Sequence, residues 1–297
     1  MALYPQSRRA LELNAGGIPV WDPAFDIDAD RAAARAVAAA EQREDVARVE
    51  EVDADGVRCR LYVPQGATGL ALHVHGGGFV FHDIDVHDGA ARRLANRAGT
   101  AVLSIDYRRP PEHRFPAAPD DLDTVLAWLA AGLPDGVTGP LFVHGDSAGG
   151  NLALVAALRN PGRFAAIALS YPFLDPDAGW DSYRTAADGF EPSEAAWYWQ
   201  QYAASPTDLV DPDLAPLRSE RLGTLPPTLV VTCEHDPLRD EGEELARRLA
   251  ELGVAVTATR YLGQLHGFWR QIDLFDAVEP LTRQIAAFFE QHRDQHR

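Results

Sequence analysis

The fold is decided by a stretch that reads Leu141-Phe142-Val143-His144-Gly145-Asp146-Ser147-Ala148-Gly149-Gly150. Its first residues are apolar, as in a buried strand, and residues 150 to 158 have the pattern of a helix that Asn160-Pro161 ends. Ser147 therefore lies on a sharp turn from strand to helix. Such a turn tolerates only small neighbours, and it places the hydroxyl at a helix N-terminus, where backbone N–H groups face a developing oxyanion. The sequence predicts that Ser147 is a nucleophile.

Composition limits the class of protein and its partners. The 297 residues are 46% hydrophobic, which is enough for one large α/β domain. The formal net charge of −17 disfavours nucleic acids and anionic membrane surfaces as partners, because they would be repelled. Cys59 and Cys233 lie in apolar runs without a C-x-x-C pattern, so we expect reduced core residues. With no signal-peptide core and no stretch long enough to span a bilayer, a cytoplasmic protein without stable membrane association is expected.

Strand-like apolar runs recur along the chain, and several are continuous, as in strands covered on both faces. They lie at 49–52, 57–63, 70–75, 101–107, 141–144, 165–171, 228–233 and 255–261. Helical patterns lie at 88–97, 120–131, 151–159 and 241–252, and an earlier one at 29–49. Strands followed by alternating β-α units predict an α/β fold, with a mostly parallel eight-stranded sheet flanked by helices.

One long connection interrupts this alternation. Between Phe173 and Leu225 lie about fifty residues without an apolar strand but with many aromatic residues, and such a connection in a compact domain is usually functional. We predict a helical cap formed by an insert at 176–224 and by residues 1–45, over a catalytic domain of 46–175 and 225–297. Trp197 and Trp199 are expected to line an apolar acyl pocket, so that truncating either changes chain-length preference. Alternatively, these rings only pack the insert against the sheet.

A nucleophilic serine needs a histidine base that is itself oriented by a carboxylate. In folds of this class the chain order is serine, acid, histidine, which leaves His235, His266, His292 and His296. The last two lie in a terminal tail that we expect to be frayed. His235 directly precedes the best acid candidate, and adjacent side chains on an extended segment point apart. His266 is therefore the predicted base.

The predicted acid is Asp236. It follows the seventh strand at its carboxyl end, where catalytic groups of open α/β sheets collect. Asp240 is the alternative acid, although it is also placed to cap the helix predicted at 241–252.

Donors for a tetrahedral oxyanion are predicted in His75-Gly76-Gly77-Gly78. Three consecutive glycines after a strand let the backbone approach a substrate closely with its N–H groups exposed. We assign the oxyanion hole to the N–H groups of Gly77, Gly78 and Ala148. A flexible glycine linker is the alternative, and the strand directly before these glycines disfavours it.

Together these motifs resemble the hormone-sensitive-lipase family of α/β-hydrolases. The resemblance rests on His75 to Gly78, Gly145 to Gly150, Asp236 to Asp240 and His266 to Phe268. It implies an α/β-hydrolase fold with a helical cap and a carboxylesterase that uses no cofactor and favours short acyl chains. Such proteins often form a homodimer.

His82 departs from the family pattern, because a glycine is common at this position. With Asp83 and Asp85 it lies near the predicted oxyanion loop. It is expected to narrow the pocket or contact the alcohol group of a substrate, so that His82→Gly changes the ranking of substrates.

Three other functions are compatible with parts of the sequence. Metal-dependent hydrolysis is suggested by a crowd of potential ligands, namely His73, His75, His82, Asp83, Asp85, His87 and Asp88. A catalytic zinc site needs a converging trio, and the glycines after His75 indicate N–H donation instead, so no metal is expected. A non-catalytic small-molecule receptor would have lost a triad member, and none is missing.

An amidase or a lactone or carbamate hydrolase would use the same triad, since pocket shape decides the leaving group. The sequence thus predicts a serine carboxylesterase that hydrolyses short-chain acyl esters, its small-molecule substrates, through an acyl-enzyme.

Overall fold

A computed structural model of the chain describes residues 2–293. Its strands are β1 (Arg48–Ala54), β2 (Val57–Val63), β3 (Leu70–Val74), β4 (Ala101–Ile105), β5 (Leu141–Asp146), β6 (Ala166–Ser170), β7 (Thr228–His235) and β8 (Val256–Leu265). Its helices are α1 (Pro5–Asn14), α2 (Ile27–Ala40), α3 (Asp88–Ala98), α4 (Ala117–Ala131), α5 (Ala148–Arg159), α6 (Ser182–Thr185), α7 (Pro192–Tyr202), α8 (Arg239–Glu251) and α9 (Val278–His292). Short 3₁₀ turns lie at 206–210, 216–218, 222–224 and 268–270.

The strands form one sheet in the order β1-β2-β4-β3-β5-β6-β7-β8. β2 pairs antiparallel with both β1 and β4, and all the other pairs are parallel. The predicted α/β class and mostly parallel eight-stranded sheet are confirmed. Because the parallel strands run the same way, the loops after β3, β5, β7 and β8 emerge at one edge, where the predicted site residues lie.

Alternating side chains of the central strands face two helical layers, as the two-residue period of a strand requires. In β3, Leu70, Leu72 and Val74 join a core with residues of α4, α5 and α8. Ala71 faces the other side, where residues of α3 and α9 complete a second core. The strands β3 to β7 are buried along their whole length, which explains why their sequences are nearly continuous apolar runs.

The helix predicted at 29–49 is wrong at its C-terminal end, because α2 ends at Ala40. Its N-terminus is capped by Asp26, whose carboxylate accepts the N–H of Ala29 at 3.0 Å. At Glu41 the backbone becomes extended, and the Glu41 carboxylate lies 3.3 Å from the Arg270 guanidinium. The chain then continues to the edge strand β1.

Two helices, α1 and α9, were not predicted. In α9 the buried residues Val278, Leu281, Ile285 and Phe289 follow helical spacing, so the pattern was present in the sequence. His292 is the last residue of α9 and is buried, which contradicts the frayed tail predicted from residue 291. The rest of that tail, 294–297, lies outside the described residues.

The first half of the predicted cap is rich in contacts with the loop after β3. Arg31 of α2 donates to the Val80 carbonyl at 3.0 Å, and Arg35 pairs with Asp83 at 2.5 Å. In the described part of the chain, the segment between β6 and β7 contains helices and 3₁₀ turns but no strand, as predicted. Cys59 and Cys233 are buried free thiols, also as predicted. No helix among residues 2–293 has the length and apolarity needed to cross a membrane.

Candidate active site

Ser147 is the residue between β5 and α5, and its backbone has φ +55° and ψ −122°, a conformation that a non-glycine residue rarely adopts. The turn is closed by small neighbours. A Cβ at Gly145 would overlap the Gly149 carbonyl, and one at Gly149 would overlap the backbone of Val74. The Ser147 N–H donates to the Ser170 carbonyl at 2.9 Å. Close packing on both sides of the serine thus holds its strained backbone in place.

The structure brings Ser147, His266 and Asp236 together, although they are far apart in the sequence. His266 Nε2 lies 2.8 Å from Ser147 Oγ, and His266 Nδ1 lies 2.8 Å from Asp236 Oδ2. Because a carboxylate only accepts, the Nδ1–H donates to Asp236, which leaves Nε2 to accept the serine proton. Asp236 is fully buried, and its other oxygen accepts the N–H of Leu238 at 2.8 Å. This carboxylate is therefore fixed before it orients the imidazole.

The alternative acid, Asp240, lies elsewhere. α8 begins at Arg239, two residues earlier than predicted, so Asp240 lies within the first turn and does not occupy the capping position. Its carboxylate accepts the N–H of Ser182 at 2.8 Å and the Arg239 Nε–H at 2.9 Å. His235, excluded as the base, contacts Asp188 at 2.8 Å. Asp240 thus binds the segment that follows β6, not the catalytic histidine.

The loop after β3 is fixed next to Ser147. The N–H of Gly76 donates to Asp146 Oδ1 at 3.0 Å, and the Gly77 carbonyl accepts the N–H groups of Val80 and Phe81. Within the described residues, the N–H groups of Gly77, Gly78 and Ala148 donate to no protein atom, so they are free to bind an oxyanion.

Gly77 and Gly78 line the same cavity as Ser147. Gly78 has φ +57°, and a Cβ there would overlap the ring of Tyr198. Glycine is therefore required at this position both by backbone conformation and by space.

A cavity of about 180 Å³ opens in front of Ser147. The described residues that line it are Gly77, Gly78, His82, His87, Asp146, Ser147, Phe173, Gly189, Phe190, Glu194, Tyr198, His266, Gly267 and Arg270. Drug-sized ligands occupy sites of roughly 300–1,000 Å³. This cavity is smaller, which limits the size of a substrate that fits beside the nucleophile.

The structure contradicts the predicted positions of Trp197 and Trp199, since neither is among the described residues that line the cavity. Trp199 is buried against Phe79 and Phe173, with ring centroids 5.3 and 4.3 Å away, and Trp197 stacks on Phe81 at 6.1 Å. The rotation of α7 instead directs Tyr198 and Glu194 to the cavity. These two are four residues apart, so they share one helix face.

Tyr198 and Glu194 were not predicted as site residues. The Tyr198 hydroxyl donates to Glu194 Oε1 at 2.8 Å, and burial raises the pKa of Glu194. Tyr198 is flanked by two tryptophans in the sequence, so composition gave no reason to choose it over them. Which of three successive aromatic residues faces the cavity depends on how α7 packs.

His82 lines the cavity and has φ +62°. Its Nδ1 is 3.4 Å from His87 Nε2, at the edge of a cluster in which the imidazoles of His73, His87 and His144 are buried. Burial lowers the pKa of His82 to about 3, so this imidazole is neutral at neutral pH.

Asp146 is the acidic residue next to Ser147 in sequence. Burial raises its pKa to about 7, against the opposing effect of the Gly76 N–H that it accepts. Three potential metal ligands converge here, since His73, His87 and Asp146 each place a ligand atom within 4.8 Å of the others.

Comparison with known proteins places this geometry in a family. Residues 71–270 match the model of a family described by its alpha/beta hydrolase fold. This chain belongs to the α/β-hydrolase family. The matched residues make up more than half of this chain, and Ser147, Asp236 and His266 are among them.

Relatives of this α/β-hydrolase carry names of ester hydrolases. It is 37% identical to the carboxylic ester hydrolase LipN of Mycobacterium tuberculosis, over 80% of this chain and 67% of that protein. It is 34% identical to an ethyl acetate hydrolase of Pseudomonas putida, over 78% of each chain. A hyperthermophilic esterase from Pyrobaculum calidifontis superposes with a TM-score of 0.89 at 34% identity, over 98% of this chain and 99% of that one. The predicted family resemblance is confirmed, and the protein is a carboxylic ester hydrolase.

Proposed function

We propose that this hydrolase cleaves short-chain acyl esters through an acyl-enzyme on Ser147. The observation that carries the proposal is the position of His266, with one ring nitrogen 2.8 Å from Ser147 Oγ and the other 2.8 Å from Asp236 Oδ2. A serine hydroxyl is a weak nucleophile unless a base takes its proton, and a neutral imidazole oriented by a carboxylate is such a base.

In the first half of the reaction, Ser147 Oγ attacks the ester carbonyl carbon while His266 Nε2 takes the hydroxyl proton. The negative charge moves to the carbonyl oxygen, where the N–H groups of Gly77, Gly78 and Ala148 donate to it. Each such donor stabilises a transition state by about 3 to 4 kcal/mol. His266 then gives its proton to the alcohol oxygen, the C–O bond breaks, and the alcohol leaves.

In the second half, a water molecule attacks the acyl-enzyme while His266 takes one of its protons. The tetrahedral intermediate collapses, the proton passes to Ser147 Oγ, and a carboxylic acid leaves. The Asp236 carboxylate stabilises the imidazolium that forms in each half. This sequence uses side chains and backbone groups of the protein and one water, so it needs no cofactor.

The size of the cavity supports the preference for short acyl chains. At about 180 Å³, the space in front of Ser147 is smaller than that of a site for a drug-sized ligand. Phe173, Phe190 and Tyr198 supply apolar walls, whereas Glu194 and Arg270 supply polar ones. We assign the acyl and alcohol contacts to these walls and to His82.

The proposal includes the cap, the assembly and the location. The cap consists of residues 1–45 and 176–224 above the catalytic domain of 46–175 and 225–297, supported by the contacts of α7 with the cavity. Homodimer formation follows the family resemblance, and the net charge of −17 supports the absence of nucleic acid partners. The free thiols Cys59 and Cys233 support a cytoplasmic location.

The deciding experiment measures hydrolysis of p-nitrophenyl esters from acetate to palmitate, with mass spectrometry after a serine-reactive phosphonate. The wild type should cleave the short esters and carry one phosphonyl group on Ser147. Ser147→Ala should lower kcat/KM by about 10⁶-fold and take up no phosphonate. Ser219→Ala is the matched control, because Ser219 is as buried as Ser147 and lies outside the cavity.

Three outcomes separate the alternatives. Activity that persists in Ser147→Ala would contradict the assigned nucleophile. A phosphonyl group without ester turnover would indicate a working triad with an amide, lactone or carbamate as substrate. Neither turnover nor labelling would favour a receptor that binds small molecules without cleaving them.

A further inference from the structure

Three buried side chains that the ester reaction does not use converge beside the nucleophile. His73 lies on β3, His87 directly precedes α3, and Asp146 is the last residue of β5. His73 Nε2 is 3.3 Å from His87 Nδ1, which is 3.7 Å from Asp146 Oδ1. Each of the three side chains is at least nine-tenths buried.

We propose that His73, His87 and Asp146 form a binding site for a divalent cation of the zinc class. Two imidazoles and a carboxylate are a donor set that Zn²⁺ and the neighbouring transition metals prefer. Zinc lies about 2.0 to 2.2 Å from such donors, so two donors at a tetrahedral angle are roughly 3.4 Å apart. The separations of 3.3 and 3.7 Å are close to that value.

The contacts of the outward-facing ring nitrogens also suit a metal site. A metal-bound histidine usually donates its other ring N–H to a fixed acceptor, which sets the orientation of the ring. His73 Nδ1 lies 3.1 Å from His144 Nδ1, and His87 Nε2 lies 3.4 Å from His82 Nδ1. His144 Nε2 in turn lies 3.2 Å from Ser170 Oγ. Both ligand imidazoles therefore have an acceptor on the side away from the trio.

An ion could reach this site through the cavity. His87 and Asp146 line the cavity in front of Ser147, whereas His73 lies behind them in the sheet. Three protein ligands leave one position of a tetrahedral ion open, and two of these ligands, His87 and Asp146, line the cavity. Asp146 Oδ1 already accepts the Gly76 N–H at 3.0 Å, so the carboxylate is held by the loop that carries the oxyanion donors.

The cation site is independent of the ester reaction, since none of its three ligands belongs to the proposed triad or oxyanion hole. Metal binding can therefore be tested without reference to turnover. Protein stripped with a chelator is dialysed against Zn²⁺, and bound zinc is counted by elemental analysis. We expect about one ion per chain, with an X-ray absorption spectrum of the wild type that shows two imidazole ligands and one carboxylate oxygen.

Variants locate the ion. His87→Gln and Asp146→Asn should each lose the bound zinc, and Asn at 146 keeps an oxygen for the Gly76 N–H. His144→Leu removes the acceptor for His73 and should weaken binding by roughly 10- to 100-fold. His235→Gln is the matched control, because His235 is paired with Asp188 away from the trio, and it should keep its zinc.

Two results would overturn the proposal. One is a wild-type protein that retains no zinc after dialysis. The other is zinc that remains bound in both His87→Gln and Asp146→Asn, which would place the ion outside the trio; its loss in His235→Gln would place it near His235. If a variant does not fold by circular dichroism, the absorption spectrum of the wild type decides alone, and a spectrum without imidazole ligands rejects the site.

Discussion

At the carboxyl edge of the sheet, strand ends set the positions of the catalytic side chains, whereas on α7 the rotation of one helix decides which side chains reach the cavity. Ser147, Asp236 and His266 each follow a strand directly or within one residue. Tyr198 reaches the cavity only because α7 packs with the face that carries Glu194 and Tyr198 toward it. Strand ends are marked in a sequence by turn residues, but helix rotation is marked only by an apolar pattern. Catalytic geometry is thus more local, and more predictable, than substrate selectivity.

The two regions meet at Gly78, so among the variants that compare them a substitution at Gly78 should have the largest effect. Gly78→Ala places a Cβ against the ring of Tyr198 and strains a backbone with φ +57°. Because the loop must move, one oxyanion donor is misplaced, and we expect kcat to fall by about 10²- to 10³-fold on p-nitrophenyl acetate.

Gly99→Ala is the matched control for this variant. Gly99 has φ +56°, but a Cβ there would meet no atom within 4 Å. It should lower stability by about 1 kcal/mol and leave kcat unchanged. Equal kcat values for the two variants and wild type would show that the loop does not bind the oxyanion.

A smaller change in selectivity should follow from Tyr198→Leu. The shorter side chain opens the cavity, so the ratio of kcat/KM for hexanoate to that for acetate should rise by about tenfold, equivalent to burying roughly two more CH₂ groups. Trp197→Leu and Trp199→Leu should leave this ratio within about twofold, since neither ring lines the cavity. The ratio is measured with the same p-nitrophenyl esters. A tryptophan variant that shifts it more than Tyr198→Leu would restore the prediction made from sequence.

The smallest predicted effect is on the free energy of unfolding. It arises at the contact between Leu174, just before the cap insert, and Glu241 of α8. Glu241 Oε1 accepts the Leu174 N–H at 2.8 Å, and burial raises the pKa of Glu241 well above its ordinary value. The folded protein keeps this proton at pH values where the unfolded chain has lost it. Stability therefore falls as pH rises above about 4.5, by at most about 1.4 kcal/mol per pH unit.

Glu241→Gln keeps an oxygen for the Leu174 N–H and removes the titration. Its free energy of unfolding, from urea melts between about pH 5 and pH 8, should improve relative to wild type as pH rises. Glu251→Gln removes an exposed carboxylate from the same helix and controls for net charge. A difference between Glu241→Gln and wild type that does not change with pH would mean that Glu241 is ionised in the folded protein.

Much of the fold and the proposed triad could be predicted because each depends on short, local signals. The turn around Ser147 is marked by small residues between a strand and a helix. His266 follows by elimination, because only a few histidines come after Ser147 in the chain. α9 has a clear apolar pattern at helical spacing, so it could also be predicted from the sequence. The end of α2 at Ala40 could not be predicted from helix propensity, because no glycine or proline directly follows it and the next residue, Glu41, pairs with Arg270, which is distant in the sequence.

The trio at His73 shows a second limit. His73 and His87 belong to a stretch that is rich in histidines and acids, but Asp146 joins them only because β3 pairs with β5. No spacing in the sequence connects these strands. Convergence across a parallel sheet is thus visible only after the strand order is known.

The segment from Ser182 to Leu214, which carries α7, is attached to the rest of the hydrolase at both ends. These two attachments do not depend on the length of the segment between them. Ser182 donates through its hydroxyl to the Pro237 carbonyl at 2.5 Å, and the Leu214 carbonyl accepts the side-chain N–H of Asn151 at 2.9 Å. Between these two attachments, insertion, deletion or exchange of residues leaves the loop of Asp236 and the helix after Ser147 in place. Descendants of this protein can therefore acquire new substrates by replacing one piece of chain, while the older chemistry is inherited unchanged.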